Sequence, residues 1–114
     1  MSKYTDIIKW GDNMPISIKV DIGYTSKSVE FYERYKEAFG KVISAEMISE
    51  VNKFSKVNKL ILANNREEQL IFEGGLTAGY RGEGPSGTYR VLQMAGFDIG
   101  EEFIQQNSSF KLKK

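Results

Sequence analysis

From Pro15 the chain alternates strictly, with Ile16, Ile18, Val20, Ile22 and Tyr24 on one side and Ser17, Lys19, Asp21 and Gly23 on the other. A period of two places successive side chains on opposite faces of a strand, so this stretch predicts a β-strand with one apolar and one wet face. Such a strand suits an antiparallel or edge position better than a doubly covered parallel one. The period then lengthens. Thr25-Ser26-Lys27-Ser28 offers capping oxygens, and Phe31, Tyr35, Ala38 and Phe39 recur at helical spacing up to Gly40, which suits a helix stop. The pattern predicts an amphipathic helix over Ser28 to Phe39, whose aromatic stripe, widened by Tyr32, packs on the sheet.

A second helix is predicted from Ser44. Ile43 and Ile48 flank that capping residue in the manner of a hydrophobic staple, and Met47, Ile48, Val51 and Phe54 make an inward stripe. Lys59 to Ala63 and Gln69 to Glu73 are apolar, β-branched or aromatic runs separated by the turn residues Asn64 to Glu68, which reads as a hairpin. Leu76 to Tyr80 extends it as a third strand after Gly74-Gly75. Gly87 to Ala95 then carries Tyr89, Val91, Leu92 and Ala95 at helical spacing, with Gly96 as the stop and Phe97 folding back as its apolar contact. Asp98 to Lys114 mixes Ile99, Phe103, Ile104 and Phe110 with polar residues, and reads as a short helix or strand ending in a basic tail. The fold class expected is α+β: a mostly antiparallel sheet of four or five strands, with two helices after the first strand and a third after a Gly-rich loop. Residues 1–114 form one domain, in which 1–14, with Tyr4, Ile7, Ile8 and Trp10, are an arm and 107–114 a mobile basic tail.

Composition narrows the chemistry. Sixteen Lys and Arg against fifteen Asp and Glu leave a net charge of +1, so no global field attracts nucleic acid or an anionic membrane, and any anion site must be local. The chain has neither Cys nor His, which removes thiolate and imidazole metal sites, Cys nucleophiles and His-based triads. No spacing of carboxylates resembles a calcium loop, and Glu67-Glu68 and Glu101-Glu102 read as solvated charges. Neither a metal nor a cofactor is expected. No apolar run approaches the roughly 18 residues of a membrane helix, so the expected location is cytoplasmic.

Six of the eleven glycines fall between Gly74 and Gly87, where a strand hands over to a helix. With Pro85 at the first helical position, the N–H groups of Ser86, Gly87 and Thr88 would point out of a free helix start, ready for a phosphate or carboxylate. Arg81, Arg90, Ser86 and Thr88 would add side-chain donors, and Tyr80 would stack on a ring or close the site. The ligand-binding residues expected are Tyr80, Arg81, Gly82, Gly84, Ser86, Gly87, Thr88 and Arg90. The run is neither a Walker loop, having no Gly-Lys-Ser/Thr, nor a dinucleotide fingerprint, because Pro85 interrupts the glycine spacing.

The stretch Gly79-Tyr80-Arg81-Gly82-Glu83-Gly84-Pro85-Ser86-Gly87 resembles the GYxGxGPxG loops, followed by a Leu-rich helix, of small uncharacterised bacterial and phage proteins. More faintly, it is similar to phage counter-defence proteins that sequester nucleotide signals. The resemblance implies a bacterial or phage accessory protein and no particular binding residue. Three functions compete. The first is a non-catalytic domain that binds a phosphate-bearing, nucleotide-like molecule at Gly79 to Arg90. The second is a protein-interaction module, such as an inhibitor, immunity or assembly factor, in which the glycines only shape a tight corner. An enzyme ranks last, given the missing His and Cys. Homodimerisation is compatible with either binding reading.

Overall fold

A computed structural model describes residues 5–8, 16–51 and 53–114, the first four as a strand without side-chain detail. Tyr4, Trp10 and most of the expected arm lie outside the described residues. The alternating stretch is a strand, β2 (Ser17–Ile22), with Ile18, Val20 and Ile22 buried. It pairs antiparallel with β1 (Thr5–Ile8) and parallel with β5 (Gln69–Gly74). The helix that follows, α1 (Thr25–Phe39), ends at Gly40 with φ 82°, a left-handed angle that glycine adopts without strain. It starts without a side-chain cap, because its cap position is Tyr24 and the expected capping residues Thr25 to Ser28 lie inside the helix, where Thr25 and Ser28 bond to backbone carbonyls.

The expected second helix is a strand, β3 (Val42–Val51), paired with β4 (Lys56–Asn64). The register slips between Val42 and Ser44, so that a bulged Ile43 separates two phases and Val42 and Ala45, three apart, both face the core. The stripe that imitates a helix mixes the two faces of the strand, Met47 toward the core and Ile48 away from it, whereas the β-branched Val42, Ile43, Ile48 and Val51 fit a pleated surface. Val51 and Phe54, expected on the inward stripe, are instead 74% and 89% exposed.

Six strands form one sheet in the order β1-β2-β5-β4-β3-β6, mixed but mostly antiparallel, where four or five were expected. Leu76 to Tyr80 is not one of them: it crosses the molecule as irregular chain with Leu76 and Ala78 buried. The sixth strand, β6 (Phe110–Lys113), comes from the supposed mobile tail and pairs with Ser44 to Met47 of β3. The remaining helices are α2 (Glu83–Met94) and α3 (Glu101–Gln106). Only one helix therefore follows the first strands, and two lie near the C-terminal end. Among the described residues no helix is long and apolar enough to cross a membrane.

The register shows how the core is assembled. Ile18, Leu70, Leu62, Ala45 and Leu112 make one cross-strand row, and Val20, Phe72, Leu60, Met47 and Phe110 make the next. These rows meet Val29, Tyr32 and Phe39 of α1, Val91 and Leu92 of α2, and Ile104 of α3 in one cluster. Each such large apolar side chain, once buried, stabilises the fold by about 1.5–3 kcal/mol. The opposite face carries Lys19, Ile71, Ile61, Glu46 and Lys111 in one row, with Glu73 held by Lys19 at 3.0 Å and Lys59 at 3.4 Å. Partial burial works against the Glu73 carboxylate, but the two lysines outweigh it and hold its pKa below the usual value.

Two polar clamps fix the ends of the helices. Asn64, fully buried, donates to Phe39 O and Glu68 Oε1, both at 2.8 Å, and accepts from the N–H of Arg66 and of Glu68, both at 2.9 Å. Arg66 adds bonds from its guanidinium to Ala38 O and Phe39 O, closing the last turn of α1. The β4–β5 turn thus serves as the C-terminal cap of a helix 25 residues earlier in the chain. The left-handed residue of that turn is Glu67.

At the other clamp, Lys114 donates from Nζ to Ala95 O, the carbonyl at the end of α2, and lies 4.9 Å over the Phe97 ring. Desolvation lowers its pKa, and Lys41 adds to the effect. A cation at a helix C-terminus opposes the negative end of the dipole. Lys114→Met should therefore lower stability by about 1 kcal/mol, through loss of the cap and the ring contact. Equilibrium urea unfolding checks this; an unchanged midpoint would mean that the clamp contributes nothing.

Candidate functional site

The helix after the glycine-rich corner starts two residues earlier than the sequence predicts, which moves its free N–H groups to other residues. α2 begins at Glu83 with Gly82 as its cap, which makes Pro85 the third helical residue rather than the first. The unpaired N–H groups of a helix belong to its cap and first three residues. Here those are Gly82, Glu83, the buried Gly84 and Pro85, which has none. Ser86 N–H donates to Gly82 O at 3.1 Å, and Gly87 and Thr88 lie further inside the helix. Thr88 is fully buried, its hydroxyl shared between Thr77 O at 2.7 Å and Gly84 O at 3.2 Å.

Packing requires most of these glycines. A Cβ on Gly84 would collide with the Thr77 hydroxyl, which is itself bonded to the Tyr80 hydroxyl at 2.8 Å. A Cβ on Gly87 would strike Thr25 and press on Val29 and Leu76, so Gly87 is the point where α2 crosses α1. Gly79, at φ 93°, lies against Ser108. Of the expected ligand residues, Arg81 and Gly82 remain exposed, Tyr80 is 47% exposed and Ser86 is half-buried. Arg90 is also exposed, but seven residues past Glu83 it sits about 10 Å along the helix axis from the start. The corner gathers Tyr80, Arg81 and Gly82 and leaves Arg90 apart.

A different concavity opens at the carboxyl ends of the parallel strands. β2 and β5 finish together, Ile22 opposite Gly74, and the chain leaves β2 through Gly23-Tyr24 into α1. Gly75 is gripped there. Its N–H donates to Ile22 O at 3.2 Å, its carbonyl accepts from the Thr25 hydroxyl at 2.6 Å, and Ser28 bonds Ile22 O and Tyr24 O over it. Beside this joint lies a cleft of about 620 Å³ between the end of β2, residues 21–24, and one flank of α1.

The flank supplies Phe31 and Tyr35, with rings 5.5 Å apart, and the Phe31 ring meets Phe72 edge-on at 6.2 Å. Tyr24 stands at the mouth, 74% exposed. Lys27, Glu30 and Arg34 form the charged rim, with Glu30 bridging Lys27 at 3.4 Å and Arg34 at 2.8 Å. The size falls within the about 300–1,000 Å³ of small-molecule sites, and apolar walls with a few charged groups are their usual lining.

The aromatic stripe expected to pack on the sheet is buried at Tyr32 and Phe39 and half-buried at Phe31 and Tyr35. One signal pointed to the cleft: the charged residues at 27, 30 and 34 run along the same flank as rings 31 and 35. Among the described residues no group of three potential metal ligands comes together. Compared with known proteins, the chain matches no family model, no curated protein and no solved structure.

Proposed function

We propose that the protein is a non-catalytic binding domain that receives a small, ring-bearing molecule in the cleft between β2 and α1, with the glycine-rich corner as its frame. The cleft itself carries this reading: its volume, its aromatic wall and an exposed tyrosine at its mouth. The corner is the weaker location, since Gly84, Gly87 and Thr88 are consumed by packing. Nucleotide-like, phosphate-bearing molecules are the first class to try, because they unite a flat ring with a charge that Lys27 or Arg34 can meet.

A thermal-shift panel of nucleotides and aromatic acids tests the proposal. A ligand at a hundred times its Kd stabilises the folded state by about 2.7 kcal/mol, a rise of roughly 10 °C in Tm for a domain of this size. The rise should persist in Arg81→Ala and vanish in Tyr24→Ala, whose exposed side chain contributes little to folding. The reverse pattern would return the site to the corner.

A protein partner is the second reading, favoured by one observation: Ile48, Ile61 and Ile71 lie half-buried on the sheet face opposite the helices. Self-association through that face would show in sedimentation as a dimer that Ile71→Lys dissociates.

A further inference from the structure

We infer that the cleft selects an anion, a ring-bearing carboxylate or phosphate whose acidic group takes the place on Lys27 and Arg34 that the chain's own Glu30 holds. This deepens, and rests on, the reading of the cleft as the binding site. Lys27, Glu30 and Arg34 are spaced three and four residues apart and so share one flank of α1. The two oxygens of one carboxylate engage both cations, Lys27 Nζ at 3.4 Å from Oε2 and Arg34 Nη2 at 2.8 Å from Oε1. Glu30 thereby shows that an ammonium and a guanidinium, two turns apart on the helix, can converge on a single acidic group. Phe31 and Tyr35 continue the same flank, so an acid held there presents its ring to theirs.

Exchange of Glu30 for a ligand's acid is easy because all three side chains face solvent, at 67% for Lys27, 79% for Arg34 and 42% for Glu30. Exposed pairs of this kind hold each other weakly. With Asp21, which also lines the cleft, the four charges cancel, so the selection for an acid comes from the convergence of Lys27 and Arg34 on one carboxylate and not from net charge. Glu30 is therefore a resident competitor that an incoming acid displaces.

Three probes with one ring and different charges separate the possibilities: indole-3-acetate, indole-3-acetamide and tryptamine, titrated by NMR and read at the amides of residues 23–35. Indole-3-acetate should bind tightest, about fivefold ahead of tryptamine. Glu30→Gln should tighten indole-3-acetate severalfold, and Lys27→Ala combined with Arg34→Ala should erase its advantage. Tighter tryptamine, or weaker indole-3-acetate in Glu30→Gln, overturns the anion selection and leaves the cleft standing as a binding site. If none of the three moves those amides, the cleft reading falls, and the selection with it.

Discussion

Gly75→Ala should lower the melting temperature by roughly 10 °C, corresponding to about 3 kcal/mol of overpacking in a domain of this size. A Cβ at this position would lie 2.6 Å from Ser28 Oγ, 2.8 Å from Tyr24 O and 2.9 Å from Ile22 O. Two of those atoms are backbone carbonyls at the end of β2 and the start of α1, so they cannot swing aside as a side chain would. Relief requires that β5 and α1 part, which breaks the Thr25 bond to Gly75 O and the Ser28 bonds with it. Gly23→Ala is the matched control, since a Cβ there meets nothing within 4 Å. Calorimetry on the two variants separates tight joinery from a general need for glycine. Equal losses would mean that the joint is not the reason.

Asn64→Ala is the second large effect, about 3 kcal/mol, because it strips four hydrogen bonds from a fully buried position and leaves donors of the turn without acceptors. The same clamp sets an acid dependence. The bond from Asn64, with a smaller contribution from Arg66, outweighs desolvation and holds the Glu68 carboxyl below its ordinary pKa of 4.5. A carboxylate depressed in the folded state contributes stability that is fully present above its unfolded pKa and lost as pH falls through the folded one. Wild type should therefore weaken below about pH 4.5 by more than Asn64→Ala does, the variant having already lost the main cause of the shift. Urea unfolding midpoints from pH 7 to pH 3 check both parts. Parallel curves would show that Glu68 does not depend on Asn64.

The parts of the fold that were legible in the sequence are those with local causes. The alternation from Ile16 to Ile22 gave β2, the run from Ser28 to Phe39 lies within α1, and the two apolar runs around Asn64 are the β4–β5 hairpin. The stop of α2 was also local: Gly96 at φ 93°, with Phe97 N–H returning to Leu92 O at 3.0 Å, is the glycine-plus-apolar closure that the sequence announced. What failed had a masked pattern or causes elsewhere in the chain. β3 was hidden because Met47 and Ile48 put apolar side chains on both faces of the strand, which masks its alternation. The start of α2 was hidden because Gly82-Glu83-Gly84 has poor helix propensity, and the Thr77–Tyr80 pair packed over it cannot be read locally. β6 is short and lysine-rich, a composition that suits an edge strand as well as a solvated tail.

The glycines drew attention to the corner for a sound physical reason, since glycine marks close approach. The approach is of the chain to itself. Gly75, Gly84 and Gly87 join two strands to two helices, and the concavity formed beside that joint belongs to α1 and β2. Tyr24, Phe31 and Tyr35 share one flank of α1 by helix period alone, but no local pattern shows that the end of β2 walls that flank into a cleft.

The measurement that tests this most directly is amide chemical-shift mapping with the strongest stabiliser from the ligand panel. Saturating shifts confined to Gly23–Lys27 and Glu30–Tyr35, with Tyr80 to Arg90 unmoved, are the expected result. Shifts centred on Tyr80 to Arg90, with α1 silent, would contradict the account and make the glycine-rich corner the binding site.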